Sequence, residues 1–349
     1  MRLPALALAL ATFSPLTAQS LTATLAAAKD NTIYSVDPAT GSNGAGDRFF
    51  CGTDLGLTIR RGLIAFDVAA AIPAGSTIVS ARLELSMAQT RSTNRAVTLH
   101  RLNSNWGEAG SIAGSGQGGG GIAQPGDATW DFAFWPNTPW QHPGGDFNAS
   151  ASASTVLSAF GRFSWSSAQL VADVQSMLDA PAANFGWLLR TDENVITTSR
   201  ALHSRESVST ADRPALVIGY LPPAARVTSV GSGCNGGGPS PLLLGASGLP
   251  RVPNASFALN LSGGPTGAVM AINLYALQQV PPLPLGGGCF LYGDFTTFVL
   301  GITTGGTLPF GIPANLAFMG YELTAQGVAL DFFNLTFATS NGLVLRLGT

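Results

Sequence analysis

Between Thr77 and Met87 the chain reads TIVSARLELSM, and apolar and polar side chains alternate through it. Val79, Ala81, Leu83, Leu85 and Met87 fall on one side, with Ser80, Arg82, Glu84 and Ser86 on the other. A period of two predicts a strand with one face on a core and the other in water. Just upstream, RRGLIAFDV is apolar on both faces between Arg61 and Asp67. That pattern predicts a central strand covered on both sides. Pro73 and Gly75 in AIPAG punctuate a tight turn between the two. Shorter runs, NTIYSV, RFFCG, AVTLHRL, GRFSWS, FGWLLRT and PALVIGY, predict further strands before residue 221.

One segment has a helical period instead. In SSAQLVADVQSMLDAP, Leu170, Val171, Val174, Met177 and Leu178 recur at helical steps. Ser167 is placed to cap the start and Pro181 to stop the end. Beyond LPPAAR (221–226) the strand-like runs are PLLLGASGL, SFALNLSG, AVMAINLYAL, TTFVLGITT, YELTAQGVAL, NLTFATS and GLVLRLG. Gly and Pro separate them at intervals of roughly ten residues, the spacing of a sandwich.

Composition sharpens this picture. Charged residues make up 10% of the 349, against roughly 25% in an average globular protein, while Gly numbers 43 and Pro 22. The expected fold class is all-β: an N-terminal jelly-roll-like β-sandwich with one covering helix, followed by a second, smaller β-sandwich. The expected boundaries are residues 19–221 and 227–349, with residues 222–226 as linker. Every tryptophan and histidine, and the only lysine, Lys29, precede that linker. From residue 225 onwards the charges thin to Arg226, Arg251, Asp294, Glu322, Asp331 and Arg346. A net charge of −2 with scattered arginines lacks the basic stripe that nucleic-acid binding requires.

The first residues, MRLPALALALATFSPLTAQS, have a basic start, an apolar run from Leu3 to Phe13 and a small residue, Ala18. A secretory signal peptide over residues 1–18 is expected, too short to span a bilayer. The chain is therefore read as secreted, extracellular or at the cell surface, with no transmembrane segment. Export permits disulfides. Cys234 and Cys289, each beside glycines, are expected to pair, and closing that loop is worth roughly 4 kcal/mol in the chain-entropy model. Cys51, in RFFCG, reads as a buried free thiol. Three cysteines cannot make the paired CxxC spacing of a structural zinc site.

Familiar chemical motifs are weak. GSGQGG (114–119) matches a dinucleotide fingerprint, but it sits in a glycine-rich run without the strand–turn–helix frame, and it reads as a loop. No GxSxG or HExxH occurs, and His100, His142 and His203 are far apart. LHSRES holds His203, Ser204 and Glu206 together, yet neighbours on a strand point to opposite faces. Asp127, Asp131 and Asp146 are carboxylates of the kind used in glycoside cleavage, but turn solvation accounts for them better. Asp30, Asn31, Asp37, Asn43 and Asp47 cluster in KDNTIY and DPATGSNGAGDRF and form a candidate set of calcium ligands. No other cofactor is expected.

Three tryptophans crowd GDATWDFAFWPNTPWQHPGGDF (126–147). If 128–135 runs extended, Trp130, Phe132 and Phe134 share a face that reads as core, and Asp131, Ala133 and Trp135 share the other. Trp135 and Trp140 flank the rigid turn PNTP, with His142 following. Aromatic faces beside polar groups suit a sugar ring.

These stretches together resemble the secreted DNRLRE domain, which is related to carbohydrate-binding module family 96. The resemblance runs over about residues 21–220, through KDNTIY, Asn43–Gly44, RRGLIAFD, IPAGSTIVSARLEL, Trp106 in NWGE, GDATW, GGDF, VADVQ, NFGWLL, SRE and RPALVIGY. It implies a jelly-roll sandwich of the sort attached to exported enzymes, adhesins and surface proteins, some of which bind acidic polysaccharides such as alginate. Arg61, Asp67, Trp130 and Glu206 match the family pattern, and an Arg–carboxylate pair fixing strands accounts for such positions as well as binding does. The insert at 108–125 departs from the simplest members. The C-terminal half is similar to a Gly-rich module that closes many large secreted bacterial proteins.

The expected function is a non-catalytic module binding an extracellular polysaccharide or cell-surface glycan through Trp135, Trp140 and His142, with Arg101 serving an acidic sugar. The rivals are a structural or adhesive surface protein and, further behind, a glycan-cleaving enzyme.

Overall fold

The computed structural model describes residues 20–35, 41–90, 94–114, 116–158, 160–266, 270–277, 279–294, 299–303 and 306–349. The expected signal peptide lies outside the described residues. The described residues are built mainly into antiparallel strands in curled, sandwich-like sheets, and two α-helices, Val68–Ala71 and Ala168–Asp179, occur among them.

Eleven strands between Leu21 and Leu221 form one branched sheet. It starts at the edge strand Leu21–Ala26 and passes through Ala215–Leu221, Thr77–Thr90, Arg200–His203 and Arg48–Thr53. It continues through Ile59–Ala65, Trp187–Arg190 and Arg95–Arg101 to Ala153–Leu157. Arg162–Trp165 branches from Thr77–Thr90, and Lys29–Tyr34 from Ile59–Ala65. The sheet curls until Leu25, Leu83 and Ile218 from one end meet Ile64, Leu99 and Trp187 from the other. Helix 168–179 contributes Leu170, Val174, Met177 and Leu178 to this core, and Ser167 Oγ accepts the Leu170 N–H as its cap.

Strand Ile59–Ala65 is covered on both sides, as its sequence predicts. Ile64 faces the main core, while Leu63 faces a second layer with Ile33, Trp106, Ala133, Trp140 and Leu188. The segment 103–147 supplies most of that outer layer, and it carries the candidate site.

Three local readings change. In Thr77–Thr90 it is Ile78 that is buried, while Val79 is 47% exposed. Gly219 pairs with Ser80 and Tyr220 with Ile78, so Val79 is skipped and the inward–outward order flips below Ala81. Asp67 opens an unforeseen helical turn, Val68–Ala71, by accepting the Ala70 N–H. In strand Phe132–Phe134 the expected separation of faces is incomplete, because Ala133 is buried while Trp130 and Phe134, only partly buried, pack against the same cluster.

From Arg226 onwards a five-stranded sheet runs Arg226–Val230, Thr336–Arg346, Glu322–Asp331, Met270–Ala276 and Val299–Thr303. A three-stranded sheet, Leu243–Ala246, Ala258–Ser262 and Thr307–Pro309, contributes Leu244 and Leu259 to a core with Phe257, Tyr275, Ala325 and Leu343. Among the described residues no strand pairs across the 222–225 segment. NLTFATS and GLVLRLG form one strand whose register shifts opposite Gln326–Val328. Gln279–Gly286 pairs with Cys289–Gly293 although its prolines argue against a ladder; it has this one strand partner among the described residues, as prolines require. The Cys234–Cys289 disulfide is present, with Cα atoms 5.0 Å apart. Cys51 is a free thiol, fully buried, and burial pushes its pKa up to about 12.

Candidate functional site

The expected aromatic platform is not assembled as the sequence suggested. Trp140 is 5% exposed and belongs to the outer-layer core. Its indole Nε1 donates to the Thr129 carbonyl at 2.8 Å. In that layer the large rings of Trp106 and Trp140 share one buried cluster with the small residues Ala128 and Ala133. Trp135 is half-buried and stands apart from the pocket described below. Arg101 ends strand Arg95–Arg101 opposite Trp187, and alternation puts it on the side of Leu99, away from His100. Of the four expected sugar contacts, His142 is the one that lines the concavity described next.

That concavity is a pocket of about 520 Å³ between residues 103–104 and 141–149, lined by Asn103, Gln141, His142, Asp146, Phe147 and Arg190 among others. Its base is an ion-pair lattice. Arg61 meets Glu193 through two parallel bonds, Nε to Oε1 and Nη2 to Oε2, each 2.8 Å. Its Nη1 donates to Gly144 O at 2.7 Å, and its guanidinium lies 4.7 Å from the Trp130 ring and 5.2 Å from the Phe147 ring. Arg190 shares Glu193 Oε2 at 2.9 Å and lies 5.7 Å from Phe147. His100 meets Phe147 edge-on at 5.4 Å, and burial holds its pKa below the ordinary value. Strands Ile59–Ala65 and Trp187–Arg190 thus aim two arginines outward under one phenylalanine.

Asp146 sets the shape of the rim. It accepts the backbone N–H groups of Gln141 at 2.9 Å and His142 at 3.0 Å, and the Ser104 hydroxyl at 3.3 Å. Burial would raise its carboxyl, but these donors outweigh it and hold the group below the usual carboxylate range. His142 Nδ1 lies 3.2 Å from Asp146 Oδ1, with 81% of the side chain exposed.

The other candidate chemistry resolves into structure. Asp127 is fully buried and accepts the N–H groups of Ala109 and Gln124, and Asp131 is exposed. His203 pairs with Ser207 Oγ, whereas Ser204 Oγ, just past the strand's end, donates to Gly46 O, so the two side chains serve different partners. At the glycine run, Gly118 O and Gln117 O accept from Arg60 and Tyr34, as a loop packed on a sheet does.

The calcium candidates divide. Asn31 Oδ1 is taken by Thr32 N, Ser42 Oγ and Asn43 N, and Asn43 Oδ1 by Ala113 N, so both amides organise turns. Asp47 lies 3.6 Å from Arg48 with its side chain 44% exposed, and Asp37 falls outside the described residues. Asp30 alone has the company a cation wants. Carboxylate oxygens of Asp30, Glu108 and Glu206 lie within 4.8 Å of one another. Arg205 binds this group, its Nη2 2.6 Å from Glu108 Oε2, its Nε 2.9 Å from Glu206 Oε1 and its backbone N–H 2.8 Å from Asp30 Oδ2.

Sequence reasoning missed Phe147, Arg190, Asn103 and Glu193. The outer face of FGWLLRT, Leu188 and Arg190, carries a signal for one of them: a cation following an apolar residue on a covered face needs a partner. Glu108 and Glu206 stand in NWGE and SRE, and nothing in their spacing tells that they meet. Compared with known proteins, the chain matches no family model and no curated protein.

Proposed function

We propose that the chain is a secreted, non-catalytic module that binds an extracellular polysaccharide, an acidic one above all, at the Phe147 pocket. The supporting observation is the composition of that pocket. A half-buried ring braced by two guanidiniums sits beside outward polar groups, His142, Gln141 and Asn103. An aromatic surface takes the C–H face of a sugar, the polar rim takes hydroxyls, and Arg190 provides the cation for a uronate. The resemblance to the DNRLRE domain points the same way. Carboxylates spent on backbone N–H groups, as Asp127 and Asp146 are, serve loop geometry rather than proton transfer. The adhesive reading draws on another feature, the exposed hairpin tip of Phe332, Phe333 and Leu335.

The test is titration calorimetry of the full chain with alginate, a neutral glucan and buffer alone. Binding to the acidic polymer, weakened at least fivefold by combined Gln141→Ala and His142→Ala, is expected. Binding untouched by that pair, or retained for no polymer at all, would remove this reading. Binding lost only in Phe333→Ser would favour adhesion through the tip.

A further inference from the structure

We infer that Asp30, Glu108 and Glu206 form a binding site for a hard divalent cation, with calcium the ion that fits best. The three carboxylates come from strand Lys29–Tyr34, the start of the 108–125 insert and the turn after strand Arg200–His203. Their oxygens are unequally occupied. Both Glu108 oxygens are taken, Oε1 by the Asp30 N–H at 2.7 Å and both by Arg205. Asp30 Oδ2 is taken by the Arg205 N–H, and Glu206 Oε1 lies against the Arg205 guanidinium. Asp30 Oδ1 and Glu206 Oε2 are buried and receive no hydrogen bond. Asp30 as a whole is 1% exposed, so its free oxygen is withdrawn from bulk water. An acceptor in that position costs free energy unless something positive meets it.

The charges agree. Three carboxylates face one guanidinium, and the nearby Lys29 ammonium is directed elsewhere, to Asn105 Oδ1 and Trp106 O. An oxygen-only donor set, with no histidine or thiolate in the group, selects calcium or magnesium over zinc or copper. Three carboxylates brought from separate segments, two of them already shared with the Arg205 guanidinium, suit the irregular coordination that calcium accepts and magnesium resists. Glu206 is the partly exposed member, with 24% of its side chain open, so water completes the shell from its side. The site is independent of the sugar pocket and holds whether or not a glycan binds.

The experiment uses the full chain stripped with chelator, then titrated with calcium chloride or magnesium chloride by calorimetry, with melting followed in parallel. One calcium per chain, an upward shift in melting temperature on adding it, and a weaker response to magnesium are expected. Glu206→Gln keeps the size of the side chain and removes its charge, and should weaken calcium affinity at least tenfold. Asp30→Asn should do the same, and Glu206→Gln carries the test if Asp30→Asn fails to fold. A chain indifferent to calcium, or one in which Glu206→Gln binds as tightly as the parent, overturns the assignment. A result in which calcium stabilises parent and Glu206→Gln equally places the ion elsewhere and overturns it too.

Discussion

Replacing Glu193 with Gln attacks the joint beneath the Phe147 pocket. The Arg61 and Glu193 side chains are 11% and 10% exposed, and their contact is bidentate. Removing one partner of a buried pair costs about 3–5 kcal/mol, because the other charge stays desolvated. Gln retains one acceptor, and Arg61 keeps Gly144 O and two ring faces, so a cost below that range, about 2–3 kcal/mol, is expected. A control sits on the same sheet: Arg82 meets Glu84 at 2.8 Å with the arginine 52% exposed. Arg82→Ala should cost no more than about 1 kcal/mol, as exposed pairs do. All six tryptophans lie before residue 222, so tryptophan fluorescence in urea follows the N-terminal part alone. With a slope of about 2 kcal/mol per molar urea, the expected loss moves the midpoint down by about 1 M, against less than about 0.5 M for Arg82→Ala. Added salt should leave the Glu193→Gln difference nearly unchanged, since buried charges are little screened. Equal midpoints for the two variants would refute the claim that this pair holds the pocket's base.

Two further outcomes follow from single groups. Cys51, buried and with its thiol pushed up to about 12, should resist alkylation by iodoacetamide at neutral pH and react only in denaturant; ready labelling of the native chain would contradict its placement. Asp146, whose carboxyl is held below the ordinary value, contributes stability that is complete above the unfolded carboxylate pKa of about 4 and is lost as pH falls through the folded value. Polysaccharide binding should therefore persist down through the ordinary carboxylate range and fail only as pH falls through the lowered Asp146 value, and Asp146→Asn should abolish that acid limb.

Much of the fold was legible because it is written in short-range pattern. The double coverage of Ile59–Ala65, the helix at 168–179 with its Ser167 cap and the burial of Cys51 all follow from neighbours in sequence. So does the pairing of the two glycine-flanked cysteines. What escaped has physical reasons. The bulge at Val79 adds a residue that alternation cannot announce, because its cause lies in the partner strand. Strand Arg200–His203 places an arginine at 0% exposure in the sheet, where composition alone would put it in water. Trp140 was misplaced because an exposed and a buried tryptophan look alike in sequence. The difference lies in the buried cluster that Trp140 shares with Trp106, Ala128 and Ala133, which only the folded layer assembles.

The candidate sites escaped for a deeper reason, since both are made where one layer crosses another. Segment 103–147 is fixed near its start by Trp106, whose Nε1 donates to Phe185 O at 2.8 Å beneath the Lys29 ammonium. Near its end it is fixed by Gly144 O on Arg61 and by Phe147 against two guanidiniums. The acidic cluster lies beside the first attachment and the pocket at the second. A layer tied at both ends, with Trp140 filling its middle, loses its conformational freedom during folding, before any ligand arrives. On the proposed reading, affinity at the rim then depends less on ordering and more on the few outward groups that would touch sugar. That is why His142, exposed and making one loose contact to Asp146, is the better place to look for specificity than the tryptophans that hold the layer down.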